Sequence, residues 1–190
     1  MLAYATPPLE RDLRIWGPLS LTLHAASSQI DTAWYVKVMD VKPDGTAAMV
    51  SKGNLKASFH ALDAALSAPG QPFHRFEQQE LLEPNRIYEF QIELVPMFHS
   101  FRAGHRLQVQ IASEDLQYNN PMRQIDVQLL PWPVENTICH DAGHASHLLL
   151  PVVPDSPEIA PVKPPVSDID WPLAPGFWMA TTDGWPLRGD

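Results

Sequence analysis

The chain has 190 residues, and 13 Lys and Arg against 22 Asp and Glu give it a formal net charge of −9. A folded chain of this length buries roughly 70% of its unfolded surface, and the 45% share of hydrophobic residues supplies a core. The acidic balance argues against nucleic-acid binding, which needs clustered cations at the phosphates. Because no stretch approaches the roughly 20 apolar residues that span a bilayer, we expect no membrane association either.

The composition also bears on the cellular compartment. Residues 1–8 lack the basic and apolar regions of a signal peptide, and the single cysteine, Cys139, cannot form an internal disulfide. We therefore expect a cytoplasmic location. The sequence contains neither a Walker loop nor a G-x-G-x-x-G fingerprint, so we expect no nucleotide cofactor.

Alternation of apolar and polar residues with a period of two predicts strands in five segments. These segments are residues 19–24, 34–39, 88–94, 106–111 and 126–130. The turn Lys42-Pro43-Asp44-Gly45 predicts a hairpin between residues 34–41 and 46–50. The run Leu148 to Val153 is apolar nearly throughout, which predicts a strand buried on both faces. A helical pattern is available only for short pieces such as His60 to Leu66.

Many short strands separated by turns indicate an all-β sandwich. The 20 prolines divide the chain: nine of them fall in the last forty residues. We predict a sandwich domain over residues 1–153 and a proline- and tryptophan-rich tail over 154–190. The tail carries Trp171, Phe177, Trp178 and Trp185. So many aromatic side chains predict that the tail lies over an apolar patch of the sandwich or of a neighbouring subunit, although an unstructured extension stays open.

No nucleophile stands out. None of the eleven serines occupies a G-x-S-x-G elbow. Cys139 adjoins His140, but adjacent residues of a strand point to opposite faces, so we interpret the thiol as a small buried side chain. We therefore predict no catalytic residue within this chain.

His140, His144 and His147 are the candidate metal ligands, since neutral imidazoles with an open position can form a zinc site. The segment contains Gly143 and lies between two strand-like runs, which argues against the helical spacing that such a site would need. We interpret it as a polar loop and expect no metal.

The remaining charged residues receive structural interpretations. Glu114-Asp115 and Asp31 are expected to be solvated loop acids. Asp31 and Asp40 could also accept backbone N–H bonds in loops. Arg106 could pair with a carboxylate bidentately and hold two loops together.

Five groups of segments, taken in chain order, form a recognisable set: Trp16–Leu23; Ser27-Ser28 with Asp31-Thr32; Val36–Val41 with Pro43-Asp44-Gly45; Phe101–Leu107 leading to Ile111-Ala112-Ser113; and His140-Asp141 leading to Ser146 and Leu149-Leu150-Pro151. This set resembles one domain family, the C-terminal domain of the X-Pro dipeptidyl-peptidase and cocaine-esterase (CocE/NonD) hydrolases.

The resemblance implies a jelly-roll β-sandwich of the galactose-binding-like kind, packed against an α/β-hydrolase domain. In that family the Ser, Asp and His of the triad lie in the hydrolase domain, so no triad residue can be assigned here. The implied function is that of an accessory, non-catalytic domain, which shapes the active-site cleft and mediates domain or subunit contacts. Its partner would be the hydrolase domain, on the same or a separate chain, with a homo-oligomer as a further option.

A stand-alone carbohydrate- or ligand-binding module is the alternative. Sugar rings stack on flat apolar faces, which makes Trp16, Trp34 and Trp132 the candidate platforms. The strand positions of Trp16 and Trp34 favour core roles for both. A metalloenzyme built on the three histidines is the third hypothesis.

Overall fold

The computed structural model describes residues 1–114 and 133–153, and the backbone of two further short strands at 178–180 and 186–188. The chain divides into two compact units, Met1–Asp155 and Ser156–Asp190. In the described part, the regular elements are strands and one 3₁₀ turn, Ala57–Phe59. That part contains no helix with the length and apolar character needed to cross a membrane.

The strands predicted at residues 19–24, 34–39, 88–94 and 106–111 are present, and further strands accompany them. They are β1 (Leu2–Ala5), β2 (Leu13–Ser27), β3 (Ala33–Val41), β4 (Ala47–Lys56), β5 (Tyr88–Phe101), β6 (Arg106–Ala112), β7 (Asn136–Cys139), β8 (His147–Leu149), β9 (Trp178–Ala180) and β10 (Pro186–Arg188).

The strands of the first unit form two antiparallel sheets. The first sheet has the order β1-β6-β3-β4. The second has the order β5-β2-β7, and β8 pairs with β2 further along the same edge. In the second unit, β9 and β10 form an antiparallel pair.

Alternation places one face of each sheet in a shared core. Inward-facing side chains on β2, β3 and β5 are almost fully excluded from solvent: Leu19, Leu21, Leu23, Trp34, Val36, Val38, Phe90, Ile92 and Leu94. The rings of Trp34 and Phe90 lie 5.5 Å apart across the two sheets. This arrangement confirms the predicted all-β sandwich, while the jelly-roll connectivity stays a prediction.

The predicted hairpin joins β3 and β4. Lys42 N–H donates to the Thr46 carbonyl at 2.8 Å, and the Asp44 carboxylate accepts the Thr46 N–H at 2.8 Å. Gly45 has a φ of +85°, a conformation that residues with a Cβ rarely adopt. The turn chemistry therefore explains the hairpin without reference to any family.

Two local predictions are wrong. Residues 60–66 are not helical, because the Asp63 side chain and carbonyl capture the N–H groups of the next residues in a local turn. The Leu148–Val153 run is not buried on both faces: β8 ends at Leu149 and pairs with β2 alone, and Leu149 and Val152 are exposed. The segment 126–130, Asp115, Trp132 and the side chains of the tail lie outside the described residues.

Candidate functional site

A groove of about 960 Å³ lies where β4 of the first sheet meets β5 of the second. Residues 52–56 of β4 and 93–96 of β5 form two of its walls, and residues 72–76 of the long β4–β5 connection form the third. We call this the seam groove. The seam groove is concave, and its lining mixes apolar side chains such as Phe59, Phe73 and Phe76 with polar ones such as Lys52, Lys56 and Glu93.

The close approach of β4 to β5 depends on a residue without a side chain. A Cβ on Gly53 would overlap the carbonyl oxygen of Glu93. Two residues earlier, the Ser51 hydroxyl donates to the Val95 carbonyl at 2.7 Å. The β4 and β5 walls of the seam groove are thus held close together by contacts to backbone atoms.

The β4–β5 connection, which supplies the third wall, is held at its start by a buried carboxylate. Asp31 accepts the Thr32 N–H at 2.9 Å and both the N–H and the hydroxyl of Ser58 at 3.0 Å. The Lys56 ammonium lies 3.4 Å from the second Asp31 oxygen. The predicted acceptance of backbone N–H bonds by Asp31 is confirmed, but the residue is buried rather than solvated.

A buried histidine holds the middle of the same wall. His74 Nε2 lies 2.8 Å from the Gln91 carbonyl oxygen, so Nε2 carries the proton of this hydrogen bond. Nδ1 is then an acceptor, and it is buried without a partner among the described residues. The hydrogen bond from His74 Nε2 therefore anchors this wall to β5.

Phenylalanines supply part of the apolar surface of the seam groove. The rings of Phe59 and Phe76 lie 5.6 Å apart, and the Lys56 ammonium lies 5.7 Å from the Phe59 ring centroid. Phe73 and Phe76 are half or more exposed to solvent. Connections longer than about 12–15 residues with little regular structure are usually functional, and apolar residues exposed on one are typical of an interaction surface.

The three candidate metal ligands have three different surroundings. His144 Nδ1 lies 3.1 Å from each oxygen of Asp141, whereas His147 Nδ1 lies 2.8 Å from the Ala145 carbonyl oxygen. The His140 ring packs against Tyr4. Within residues 1–114 and 133–153, no three His, Cys, Asp or Glu side chains are grouped so that they could hold a metal ion. Hydrogen bonds from His144 and from the Gly143 N–H hold the pKa of Asp141 below its ordinary value.

The interpretation of Cys139 as a buried side chain is wrong, because this thiol is only partly excluded from solvent. Cys139 ends β7, opposite His24 of β2, and is only partly buried. Its carbonyl accepts the Ser146 hydroxyl at 2.6 Å, and the same hydroxyl oxygen accepts the His24 N–H at 2.9 Å. Ser146 therefore ties the loop before β8 to β2, which is a structural role.

The sequence analysis missed a polar cluster at one end of the core. Asp40 Oδ2 lies 2.9 Å from His99 Nε2, and Asp40 Oδ1 lies 2.7 Å from His105 Nδ1. The expectation that Asp40 accepts backbone N–H bonds in a loop is wrong, since it lies in β3 and is buried. Alternate residues of a strand share a face, so Asp40, two residues after Val38, lies on the inward face. This spacing could have indicated from the sequence that Asp40 is buried.

The predicted Arg106–carboxylate pair does not form among residues 1–114 and 133–153. The Arg106 guanidinium donates to the Thr6 carbonyl at 3.0 Å. Arg102 makes the carboxylate pair instead, at 2.7 Å from Asp12, which also accepts the Ala103 N–H at 2.8 Å. That backbone bond, followed by the Arg102 bond, lowers the pKa of Asp12.

The two described tryptophan candidates differ in position. Trp34 is 1% exposed and belongs to the core, as predicted. Trp16 is 68% exposed, so its predicted core role is wrong. Trp16 shares the outward parity of Ser20 and Thr22 on β2, whereas the core side of the strand carries Ile15 and Leu19.

Comparison with known proteins agrees with this architecture. Residues 1–149 match the family model described as the X-Pro dipeptidyl-peptidase C-terminal non-catalytic domain. The chain belongs to this family. The X-Pro dipeptidyl-peptidase C-terminal domain is therefore the unit that the two sheets form, and the resemblance seen in the sequence is confirmed.

Relatives of this C-terminal domain are hydrolases in which it occupies a minor part. The chain is 27% identical over 158 residues to a Mycobacterium bovis protein whose name describes a serine esterase, covering 80% of this chain and 24% of that protein. It is 25% identical to the cocaine esterase of a Rhodococcus species, covering 80% of this chain and 25% of that enzyme. The chain thus spans about a quarter of the curated relatives that it matches.

Solved structures support the fold. A CocE/NonD family hydrolase from Staphylococcus aureus superimposes with a TM-score of 0.71 at 20% identity, over 80% of this chain and 30% of that one. An α-amino acid ester hydrolase gives a TM-score of 0.62 at 24% identity, over 80% of this chain and 25% of that one.

Proposed function

We propose that this chain serves as the accessory domain of an α/β-hydrolase-type serine hydrolase and takes no catalytic part itself. The main observation in support of this proposal is that a family model described as a non-catalytic domain covers residues 1–149. The two curated relatives with esterase names devote roughly three quarters of their length to other sequence. The parent activity is then X-Pro dipeptidyl-peptidase or ester hydrolysis, carried out by a catalytic domain on the same or another polypeptide.

The seam groove is the surface that we assign to the catalytic domain. It combines the close approach of β4 to β5 at Gly53 with exposed Phe73 and Phe76 on a long connection. Exposed apolar surface of this kind gains free energy when a partner removes it from water. A catalytic domain seated there would place residues 72–76 along the edge of its cleft, so that the accessory domain shapes substrate access.

Activity measurements test the proposal that this chain takes no catalytic part. The full chain, incubated with chromogenic esters and Xaa-Pro substrates, is expected to give no turnover above a buffer blank. Turnover that co-elutes with the pure protein would place reactive groups in this chain and refute the accessory role.

Measurements of partner binding test the assignment of the seam groove to the catalytic domain. The DNA upstream of this reading frame is expected to encode a G-x-S-x-G hydrolase region, and the two polypeptides, co-expressed, are expected to co-purify. Phe73→Ser with Phe76→Ser should weaken the complex. Phe98→Ser is the matched control, because Phe98 is also exposed but lies on another face. Equal loss of binding with the control would exclude the seam groove as the contact surface.

We also assign the domain to the cytoplasm. Support comes from a single cysteine, which leaves no internal disulfide to stabilise the fold outside a reducing compartment. Fractionation of the source cells with an antibody to the chain tests this, and recovery in the culture medium would contradict it.

A further inference from the structure

The second sheet ends at β5, because among the described strands only β2 pairs with β5 in a ladder. A strand of 14 residues has a long row of N–H and C=O groups along its free edge. Such an edge is a template onto which another strand can add, and natural proteins usually cover or shorten it. The free edge of β5 therefore needs covering if the domain is to avoid pairing with copies of itself.

Two carbonyl groups of β5 accept hydrogen bonds from side chains of other segments. The Gln91 carbonyl accepts from His74 Nε2 at 2.8 Å, and the Val95 carbonyl accepts from the Ser51 hydroxyl at 2.7 Å. Alternate residues of an antiparallel strand direct their C=O groups to the same side, so Gln91 and Val95 belong to one row. A strand added along this edge would need both carbonyls as acceptors.

The edge between these two carbonyls is closed by a close contact with β4. Glu93 lies midway between Gln91 and Val95, and its carbonyl oxygen would overlap a Cβ on Gly53. A strand could enter here only by displacing β4. The following residue, Pro96, has no N–H, so it cannot donate to an added strand. The free edge is therefore closed at three successive outward-facing carbonyls.

The contact from His74 comes from residues 72–76 of the β4–β5 connection, which we call the edge strap. His74 is buried between exposed neighbours, Phe73 and Arg75. Hydrogen bonds to residues 61–63 occupy the carbonyl of Phe73 and the N–H of Arg75, at 2.8 Å and 2.9 Å. The edge strap therefore presents His74 to β5, while two of its backbone groups are bonded within the connection itself.

We propose that the edge strap closes the free edge of β5 to strand addition by a second copy of this chain, with the His74 imidazole as its fastening. A second copy is the expected occupant, because sheet edges pair through backbone groups and every copy presents the same strand. The Ser51 hydroxyl and the Gly53 contact close the rest of this edge from β4. Loss of the His74 hydrogen bond would free the Gln91 carbonyl and release the middle of the strap. The strap acts within the domain and does not depend on the accessory role.

The test compares self-association of the full chain and its variants by sedimentation velocity over a range of concentrations. His74→Ala should raise the association constant by about tenfold over the wild type, the factor for one lost hydrogen bond. His74→Gln should stay at the wild-type level, because the amide can donate to the same carbonyl. His60→Ala is the matched control, since His60 Nδ1 lies 2.9 Å from the carbonyl oxygen of Ala57, which is not part of β5. Ser51→Ala frees the Val95 carbonyl and should also raise association, so it carries the test if His74→Ala does not fold.

Hydrogen–deuterium exchange identifies the surface that associates. In the associated form of either variant, the amides of residues 91–95 should exchange more slowly than in the monomer, because a second chain would bond them. Three results would overturn the proposal. They are wild-type association in folded His74→Ala and Ser51→Ala proteins, an equal rise in the His60→Ala control, and association without added protection at residues 91–95. None of these results affects the accessory role, which is measured by turnover and by binding of a hydrolase partner.

Discussion

At the scale of single residues, the close approach of the two sheets rests on backbone positions that leave no room for side chains. Gly53 illustrates this, because the atom that would clash with its Cβ is a backbone oxygen, Glu93 O, rather than a flexible side chain. A side chain could rotate away, but a strand carbonyl cannot move without disturbing the β2–β5 ladder. The cost of substitution is therefore expected to be large.

Gly53→Ala is expected to destabilise the domain by about 1–3 kcal/mol, as overpacking does. Urea unfolding followed by circular dichroism measures the change. Gly143→Ala is the control: Gly143 lies in an exposed loop, where the nearest atom to an added Cβ is an Asp141 carboxylate oxygen at 3.3 Å. Equal stability of the two variants would show that β4 and β5 can move apart at Gly53 without loss of folding free energy.

Asp12 supplies a pH-dependent prediction. The Ala103 N–H, followed by Arg102, lowers the pKa of the Asp12 carboxyl in the folded state. A depressed aspartate pKa stabilises the fold above the pKa of the unfolded chain, and this contribution is lost as pH falls through the folded pKa.

Asp12→Asn is thus expected to be less stable than the wild type at neutral pH. The difference should shrink towards zero in acid, at pH values below the ordinary aspartate pKa. Melting temperatures of both proteins across this range provide the measurement, and a difference that is constant with pH would contradict the assignment. The pair is solvent-exposed, so the effect is small and should weaken further in high salt.

At the scale of elements, strand positions and the hairpin could be predicted, and element ends could not. Alternation located the centres of β2, β3, β5 and β6, because one face of each is buried. β1 was missed since all four of its residues are exposed, so it pairs with β6 without any alternation of burial. β7 was missed because four residues are too few to display a period.

The candidate site was less predictable than the fold. The seam groove forms between residues 52–56 and 93–96, and nothing local in the sequence indicates that these segments meet. Trp16 and Asp40 were misassigned although the parity of β2 and β3 indicated which face each occupies. The alternation of strand positions therefore indicates the burial of these two side chains better than their residue types do.

The Asp31 carboxylate joins the start of β3 to the connection that follows β4. Asp31→Ala is expected to remove three hydrogen bonds to Thr32 and Ser58 and to destabilise the domain by about 2–4 kcal/mol. Limited proteolysis should then cleave within residues 57–87 before other sites. Asp63→Ala, which removes an exposed turn contact in the same connection, is the control and should leave the cleavage pattern near that of the wild type.

At the scale of the whole molecule, the tail is the main untested prediction. Residues 154–190 hold four large aromatic side chains among many prolines. Truncation after Pro154 is expected to lower the melting temperature or to change the oligomeric state, because the aromatic side chains otherwise leave much apolar surface in water. Calorimetry and light scattering measure both quantities. A truncated protein that matches the full chain in each would refute a structural role for the tail.

The interruption of the β2–β5 ladder at Gly17 and Pro18 also affects how this sheet opens. Amide groups on either side belong to two separate runs of hydrogen bonds, Leu13 to Gly17 and Leu19 to Ala25. Both runs carry core residues, since Ile15 and Phe101 in the first are as fully buried as Leu23 and Phe90 in the second. The second run is also paired along the other edge of β2 with β7 and β8, whereas the first has only the isolated Ile15–Val152 bridge there among the described residues. Hydrogen–deuterium exchange should therefore be slowest in the second run, and the Leu13–Gly17 end should fray on its own before the molecule unfolds as a unit.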